Sequence, residues 1–390
     1  MLYDVVIIGG GAVGASLALM FAQENFQVLL IEKKAASTKL IPDKEARTIA
    51  LSFASTHILE ALGIWQSLQH RSVPIQEVRV SVAGRLGTTR LDAKEQKVPF
   101  LGQVVSFDEL ERTVFEALAH LPNVKIMRPA TLQHYQLSSQ GWDLSIAEEE
   151  KILPIKTRLL VAADGIDSML RKALAIAVNK TEYGHFAVMS NIERSEVDSF
   201  TAFERFMAQG AMALLPWRNQ MATCVMTAPM EQAQSWMAMS DQEYLTTCQD
   251  LLGRRQGRLI GLGKRICLPL TMQIATQQMS HRFLLMGNAA HSLHPIAAQG
   301  LNLSLRDIWQ LRHQIRMSKM PIDVGSPHFL ETYIKARAND QSRIIFATDK
   351  IAKYMSGGPL PMKLRALGIT LFDSFMPAKK MFTRISMGLM

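Results

Sequence analysis

Cysteine is scarce in this chain of 390 residues. Its three cysteines, at positions 224, 248 and 267, cannot build a disulfide framework, and no two of them form a Cys-x-x-Cys pair. This scarcity excludes a small disulfide-stapled domain and argues against a structural zinc site or a dithiol redox centre. It is typical of proteins in a reducing compartment, and we therefore expect a cytoplasmic location.

Uninterrupted apolar runs are also missing. Residues 5–21 carry no charge, but Asp4 precedes them, no basic segment comes first and four glycines interrupt them. A membrane-spanning helix needs about 20 apolar residues, and a secretory signal starts with basic ones. We expect neither feature in this run.

Acidic residues are fewer than basic ones, which gives the chain a net charge of +9, and most of this excess of basic residues lies in the C-terminal segment. Residues 331–390 contain ten Lys or Arg and four Asp or Glu, so this segment alone carries +6. A nucleic-acid binder combines a basic face with a recognisable reading motif, and no such motif occurs in the sequence. We therefore expect no nucleic-acid partner.

The first 32 residues predict a strand, a glycine-rich turn, a helix and a second strand. Residues 3–8 form a short β-branched run typical of a buried parallel strand, and residues 27–31 form a second one. The turn between strand and helix reads Gly9-x-Gly11-x-x-Gly14, and Glu32 ends the second strand. Such glycines permit a tight turn, approach of a pyrophosphate and close helix packing, while the acidic residue binds ribose hydroxyls. The pattern predicts a dinucleotide site and leaves FAD and NAD as alternatives.

The pattern changes after residue 180. Stretches at 187–192, 211–216 and 222–228 alternate as antiparallel strands do, and a buried strand returns at 282–286 before a helix from about residue 301. The predicted fold class is α/β, with a doubly wound Rossmann-type domain, an inserted antiparallel β-sheet domain and C-terminal helices.

Two later motifs follow buried strands. The first contains Asp164-Gly165, and the second starts at Gly287-Asn288 and continues to Asn302. Together with the N-terminal glycine motif, in this order, they resemble the single-component flavoprotein aromatic hydroxylases, the p-hydroxybenzoate hydroxylase class. The resemblance covers roughly residues 1–310 and implies that the dinucleotide is FAD.

The resemblance is closer to the ubiquinone-biosynthesis hydroxylases within that class. The segments that carry it are Arg47-Thr-Ile-Ala-Leu-Ser, Leu101-Gly-Gln103-Val-Val, Phe203-Glu-Arg205-Phe and Leu293-His-Pro-Ile-Ala-Ala-Gln-Gly-Leu-Asn. Asn288 departs from the wider class, which has Asp there, but an amide oxygen still accepts hydrogen bonds and we expect FAD to be retained. Gly287-Asn288-Ala-Ala is similar to the branch that hydroxylates 2-polyprenyl-6-methoxyphenol.

The resemblance implies an FAD-dependent monooxygenase that uses NAD(P)H and O2. It would hydroxylate the ring of a polyprenylated phenol, 2-polyprenyl-6-methoxyphenol, in ubiquinone biosynthesis by way of a flavin C4a-hydroperoxide. It also implies an FAD-binding set: Gly9, Gly11, Gly14, Glu32, Arg47, Gln103, Asp164, Gly165, Asn288, Pro295, Gly300, Leu301 and Asn302.

The resemblance implies little side-chain catalysis, because the cofactor supplies the difficult chemistry. We name no general base; His294, Gln299 and Arg205 are the candidates, and Arg205 has an alternative role in sheet packing. We expect no metal, and His291 and His294 read as structural. Gly261-Leu-Gly263 does not complete a second glycine motif, because position 266 is Ile. NAD(P)H would therefore bind transiently.

The predicted domain boundaries follow the motifs. Residues 1–73, 99–180 and 268–320 form the FAD-binding domain, 74–98 and 181–267 the substrate domain, and 321–390 a C-terminal helical region. We expect residues 361–390 to contact the inner face of the cytoplasmic membrane peripherally, because apolar residues recur there at helical spacing beside basic ones. The apolar set is Leu364, Leu367, Leu371 or Phe372, and Phe375; the basic set is Lys363, Arg365, Lys379, Lys380 and Arg384. The alternative is a terminal helix packed on the body with a solvated basic face.

Several alternatives remain open at this point. One alternative is a hydroxylase that acts on another ring position or on a small aromatic substrate. Another is a flavin oxidase that releases peroxide. A further alternative is a non-catalytic flavin-binding scaffold in a complex with other ubiquinone-biosynthesis proteins. The sequence does not decide the ring position, the prenyl length, NADH against NADPH or the oligomeric state.

Overall fold

The computed structural model describes residues 2–36, 41–195, 200–253, 257–319, 321–355 and 361–389. Its strands are β1 (Leu2–Ile8), β2 (Val28–Ile31), β3 (Thr48–Ser52), β4 (Val73–Ile75), β5 (Glu77–Val82), β6 (Thr88–Asp92), β7 (Gly102–Ser106), β8 (Val124–Met127), β9 (Ala130–Leu137), β10 (Trp142–Glu148), β11 (Lys151–Ala162), β12 (Val178–Arg194), β13 (Thr201–Met207), β14 (Gly210–Pro216), β15 (Met221–Pro229), β16 (Leu259–Leu262), β17 (Ile266–Ala275), β18 (Met279–Ser280), β19 (Phe283–Leu285) and β20 (His291–Ser292). Its helices are α1 (Ala12–Gln23), α2 (Phe53–Ala61), α3 (Trp65–Gln69), α4 (Ala93–Gln96), α5 (Phe107–Ala119), α6 (Met169–Ala173), α7 (Met230–Ala238), α8 (Asp241–Leu252), α9 (Gln299–Met317), α10 (Pro327–Met355), α11 (Met362–Ser374) and α12 (Met376–Ser386).

A parallel sheet carries the N-terminal motif. Its strands β19, β11, β1, β2 and β8 run parallel, and β9, β10 and β18 extend it in the antiparallel sense. Val5 and Ile7 of β1 pack with α1, α5 and α9 on one face, while Val6 and Ile8 pack with Trp142 and Phe283 on the other. Because both faces are covered, β1 is apolar at successive positions instead of alternating.

A nine-stranded sheet forms the second layer, in the order β20-β17-β12-β15-β14-β13-β5-β6, with β16 paired to β12. Its pairs are antiparallel except β13 with β5, which run parallel. One face packs against α7 and α8 around Tyr244 and Trp236. The other face is turned toward the parallel sheet and is described with the site below.

The remaining elements join these two sheets. Strands β3, β7 and β4 form a small antiparallel sheet. Helix α9 packs against α1, α2 and α10, and α11 packs against β5 and β6. The C-terminal helices therefore lie on the edge of the nine-stranded sheet, and their inner face belongs to the protein interior.

The α/β fold class predicted from the sequence is confirmed. Residues 53–69 form two helices, since α2 stops before Leu62 and Gly63, where the chain turns into α3. Strands β12 and β17 cross the boundaries expected at 181 and 267, since residues 178–182 pair with 271–275 in the nine-stranded sheet. The division into domains stays a prediction. No helix in the described ranges is both long and apolar enough to cross a bilayer.

Candidate functional site

The glycine-rich turn links β1 to α1 at the edge of the parallel sheet. A Cβ at Gly14 would lie 1.9 Å from the Gly9 carbonyl oxygen, and one at Gly9 would lie 2.4 Å from the Ala163 oxygen. A Cβ at Gly11 would meet only a Glu111 carboxyl oxygen, at 3.5 Å. Two glycines are therefore required by packing inside the protein, whereas Gly11 leaves space on the open side of the turn.

Glu32 lies beside this turn at the end of β2. Its carboxylate accepts hydrogen bonds from the Gly10 N–H at 2.6 Å and from the Lys34 N–H at 2.8 Å. The acidic side chain is thus held next to the first turn of α1, where the backbone N–H groups have no helical partner. A ribose hydroxyl and a pyrophosphate fit these two neighbouring positions.

Buried acceptors without donors mark the middle of the site. One Asp164 carboxyl oxygen accepts from the Met169 N–H at 2.8 Å and caps α6, but its other oxygen is buried without a partner. The Gln103 side-chain oxygen on β7 is also buried without a partner. Because buried polar atoms normally have partners, these two acceptors fit the hydroxyl groups of the FAD ribityl chain and ribose.

Arg47 and Asn288 are the exposed members of the predicted set. The Arg47 guanidinium lies 3.8 Å from an Asp108 carboxyl oxygen and 4.8 Å from the centre of the Phe107 ring. Asn288 lies in the short 3-10 helix Gly287–Ala289 and faces outward. Both side chains are free to reach a ligand that enters from the open side.

Helix α9 begins at Gln299, two residues earlier than the sequence predicted. Ala298 precedes it with a φ of 49°, so the chain turns sharply into the helix. The Asn302 side chain accepts from the Ser52 N–H at 2.8 Å and donates to the Ala50 oxygen at 3.0 Å, which fastens the helix to β3. The unpaired N–H groups of the first turn then face the site and favour negative charge.

The two histidines of this loop have different surroundings. His291 is buried and lies 2.7 Å from Asp307, which also binds Arg337 and Gln341. His294 is buried, accepts from the Ile296 N–H at its Nδ1 and packs edge-on against Tyr183. Burial and the nearby His185 lower the pKa of His294 to about 4, so it is neutral near pH 7.

A cavity of about 880 Å³ joins these features to the nine-stranded sheet. Its cofactor end is lined by residues 11–13 and 287–302, and its sheet end by side chains of β5, β6, β13, β14 and β15. The inner faces of α11 and α12 close one side. The lining of the sheet end is mainly apolar, with the Phe206 ring beside aliphatic side chains: Val78, Val80, Leu91, Ala202, Ala211, Ala213, Leu215 and Val225.

The structure brings most predicted site residues to this cavity. Those that line it are Gly11, Gly165, Asn288, His294, Pro295, Gln299, Gly300, Leu301 and Asn302. Gly9, Gly14, Glu32, Arg47, Gln103 and Asp164 lie in or next to segments that line it. Their contact with a cofactor stays a prediction. Among the described residues, no group of three or more His, Cys, Asp or Glu is arranged to hold a metal ion.

Arg205 is the candidate that the structure places elsewhere. Its guanidinium donates to the Ser81 hydroxyl and the Leu251 carbonyl on the opposite face of the nine-stranded sheet. Side chains alternate along a strand, so Ala202, Glu204 and Phe206 face the cavity and Arg205 does not. These contacts are those of a sheet-packing arginine, on the face away from the cavity, and the catalytic role of Arg205 stays a prediction.

Sequence reasoning missed two groups of lining residues. Glu204, next to Arg205, lies at the sheet end of the cavity. Side chains alternate along Phe203-Glu204-Arg205-Phe206, so knowing which face one of these four occupies would have placed Glu204 on the cavity face. The inner faces of α11 and α12, including Arg365, Ile369 and Thr383, also line the cavity. No sequence motif signals that contact.

Known proteins resemble this chain over most of its length. The family model described as FAD binding domain matches residues 2–346. Ubiquinone hydroxylase UbiL of Rhodospirillum rubrum is 28% identical over 387 residues, covering 99% of this chain and 89% of UbiL. The 3-demethoxyubiquinol 3-hydroxylase of Escherichia coli is 28% identical over 314 residues, covering 78% of this chain and 77% of that enzyme.

Solved structures share the fold. PqsL of Pseudomonas aeruginosa, in complex with 2-aminobenzoylacetate, superposes with a TM-score of 0.78 at 20% identity, over 95% of this chain and 99% of PqsL. An HpxO variant of Klebsiella pneumoniae complexed with FAD gives a TM-score of 0.77 at 15% identity, over 99% of each chain. At these identities the likeness concerns the fold alone.

Proposed function

The chain belongs to the FAD binding domain family and is an FAD-dependent monooxygenase, and we propose that it hydroxylates the ring of a polyprenylated phenol in ubiquinone biosynthesis. Its reaction uses a phenolic substrate, NAD(P)H and O2. Within the pathway we propose 2-polyprenyl-6-methoxyphenol as the substrate, on the likeness of the Gly287–Asn302 loop to that branch.

The observation that carries the proposal is one cavity with two unlike ends. The cofactor end offers helix N-termini and unpartnered oxygens, which fit FAD, and the sheet end offers aliphatic walls, which fit a lipophilic ring. Among the described lining residues, Arg365 is the only arginine or lysine, and its guanidinium donates to the Met207 and Met355 carbonyls at 2.9 and 3.0 Å. The cavity therefore offers no lone cation for the carboxylate of a small aromatic acid.

The chain's own groups have a limited part in the reaction. FAD, when bound and reduced by NAD(P)H, supplies the activation of O2. The first turn of α1 binds its phosphates, Asp164 and Gln103 accept from its hydroxyls, and the first turn of α9 stabilises negative charge on its ring. The aliphatic sheet face orients the substrate ring and excludes water.

Metabolite analysis tests the ring position. Deleting the gene in an aerobic host should cause 2-polyprenyl-6-methoxyphenol to accumulate, identified by mass spectrometry. Accumulation of an earlier unhydroxylated phenol or of a demethoxy intermediate would assign the enzyme to another ring position. Normal ubiquinone levels in a host without a second such hydroxylase would contradict the proposal.

A finer proposal concerns the membrane. The outer faces of α11 and α12 expose Leu364, Leu367, Leu371, Phe375, Met376 and Met381. Lys363, Lys380 and Arg384 are exposed beside them and contribute about 3 kcal/mol toward an anionic bilayer at about 1 kcal/mol each. We assign this outer face, which we call the apolar outer face, to contact with an anionic membrane surface.

Two basic residues expected at that surface are inside the protein. Arg365 is 3% exposed and bound to backbone carbonyls, and Lys379 is 5% exposed and lies 3.1 Å from Asp373 and 3.6 Å from Glu95. Their burial contradicts the expectation that they face a membrane, because Arg365 joins α11 to β13 and α10, and Lys379 joins α12 to α11 and α4. Leu364 and Gly368 are exposed and also line the cavity, so the cavity reaches the surface at α11, where a lipid-dissolved substrate would enter.

A further inference from the structure

One carboxyl group lies on the sheet face of the cavity without a partner. Glu204 of β13 is flanked on this face by Val80 of β5 and Ala213 of β14, its neighbours in register. Along its own strand the cavity-facing neighbours are Ala202 and Phe206. Among the described residues, none forms a hydrogen bond or ion pair with the Glu204 carboxyl.

Three threonine hydroxyls on this face already have hydrogen-bond partners inside the protein. The Thr227 hydroxyl accepts from the Ala211 N–H at 2.8 Å, and the Thr223 hydroxyl donates to Asn191 at 2.7 Å. The Thr89 hydroxyl donates to Asp373 at 2.8 Å. Within the described part of the chain, the Glu204 carboxyl is therefore available to a ligand on this sheet face, as is the hydroxyl of Ser292 on β20, and Glu204 is the one carboxyl group among the residues that line the cavity.

A carboxyl group in apolar surroundings is costly to keep unless something binds it. Burial raises the pKa of Glu204 to about 7, with no neighbouring charge contributing. A carboxylate with a raised pKa is a stronger proton acceptor than an ordinary one, so it matches a weakly acidic hydroxyl better than a solvent-exposed glutamate does.

We propose that Glu204 is a catalytic residue that binds the hydroxyl group of the phenolic substrate and accepts its proton. This inference rests on the proposed function. The phenol O–H bond breaks, the proton joins a Glu204 carboxylate oxygen and the electron pair stays on the phenol oxygen, so no electron is transferred. The ring becomes more electron-rich at the carbons that receive oxygen. The proton returns to that oxygen when the hydroxylated ring loses its displaced hydrogen as a proton.

The direction of the pH dependence follows from the same group. Glu204 accepts a proton only when ionised, so binding of the phenol should strengthen as pH rises through about 7. Among the described residues that line the cavity, two others are ionisable, His294 and Arg365. Burial and nearby His185 lower the pKa of His294 to about 4, and Arg365 remains a cation, so neither titrates between about pH 6 and 8.

The test compares two ligands on the holoenzyme. The probes are 2-methoxy-6-prenylphenol and its O-methyl ether, which lacks the hydroxyl but keeps the ring and prenyl group. Binding is followed by the change in flavin absorbance, a readout that does not need turnover. The wild-type protein should bind the phenol about tenfold more tightly than the ether above about pH 8, and this preference should shrink below about pH 6.

The variants are Glu204→Gln, Glu204→Leu and the control Glu182→Gln, whose carboxyl is exposed on β12. Both Glu204 variants should lose the phenol preference and its pH dependence while FAD content stays unchanged, and the control should keep both. If Glu204→Gln folds poorly, Glu204→Leu tests the same role, because leucine suits the apolar face.

The outcomes separate this inference from the proposed function. If Glu204→Gln keeps the wild-type preference, or the wild-type protein hydroxylates the phenol without preferring it to the ether, the role of Glu204 is overturned and the proposed function stands. If the wild-type protein neither binds nor hydroxylates the phenol, both are overturned.

Discussion

At the cofactor end of the cavity the groups turned inward are backbone N–H groups and buried oxygens, whereas at the sheet end they are aliphatic side chains and one carboxyl. The first end depends on backbone that must come very close to other backbone, as at Gly14, where a Cβ would lie 1.9 Å from an oxygen. The second depends on side chains that need only suitable size and polarity. A cofactor site made of backbone therefore restricts the sequence far more than a substrate wall made of side chains does.

The comparison predicts that glycine substitutions at the cofactor end have the largest effects and separate packing from binding. Gly14→Ala should destabilise the fold by about 1–3 kcal/mol and abolish FAD retention, because its Cβ would overlap the Gly9 oxygen. Gly11→Ala is the matched control, since its φ of −63° suits any residue and its Cβ has room. It should fold normally but bind FAD at least about tenfold more weakly, because the methyl group occupies the pyrophosphate side.

Thermal unfolding of the FAD-free proteins and FAD titration measure the two effects separately. Equal unfolding temperatures for the two variants would break the distinction between a packing glycine and a ligand-facing one. Full FAD affinity in Gly11→Ala would remove Gly11 from the predicted binding set.

A substitution at the sheet end should have an intermediate effect and spare the cofactor. Ala213 faces the cavity opposite Glu204, and Ala213→Phe would fill space that the substrate ring needs. We expect binding of 2-methoxy-6-prenylphenol to weaken by about tenfold, with FAD content unchanged. Flavin absorbance reports both quantities in one titration. Loss of FAD together with phenol binding would show that the two ends are not independent.

The smallest effect on catalysis should come from the apolar outer face. Leu367→Glu with Leu371→Glu should reduce sedimentation with phosphatidylglycerol-containing vesicles at least about tenfold, because two leucines no longer enter the bilayer. Turnover of a water-soluble prenylphenol should not change. Leu137→Glu with Ile152→Glu is the matched control, since both leucine and isoleucine are exposed on strands β9 and β11. Equal loss in the control, or no loss in either protein, would contradict membrane contact through α11.

The sequence supported predictions best where spacing reports backbone geometry. Gly9, Gly11, Gly14 and Glu32 could be assigned to one site, because the glycines follow the first strand at fixed intervals and the acidic residue ends the second strand. Arg205 could not be assigned to a face of its strand, because strand alternation gives two opposite faces and the sequence alone does not say which one is inward. Glu204 was missed for the same reason.

The C-terminal helices show a second limit. Leu364, Leu367, Leu371 and Phe375 were predicted to share a helical stripe, and all four are exposed. The sequence does not show which of their basic neighbours are buried, because Arg365 and Lys379 bind partners that are far away in sequence: the Met207 carbonyl and Glu95. Long-range partners of this kind have no local pattern.

The most direct test of the account is the fate of oxygen in the purified holoenzyme. With NAD(P)H, isotopically labelled O2 and 2-methoxy-6-prenylphenol, mass spectrometry should detect a ring-hydroxylated product that carries one labelled oxygen atom. Oxidation of NAD(P)H should be faster with the phenol than without it. Labelled peroxide with no hydroxylated product would identify an oxidase, and no phenol-dependent oxidation at all would identify a flavin-binding scaffold; either result would contradict a monooxygenase of prenylated phenols.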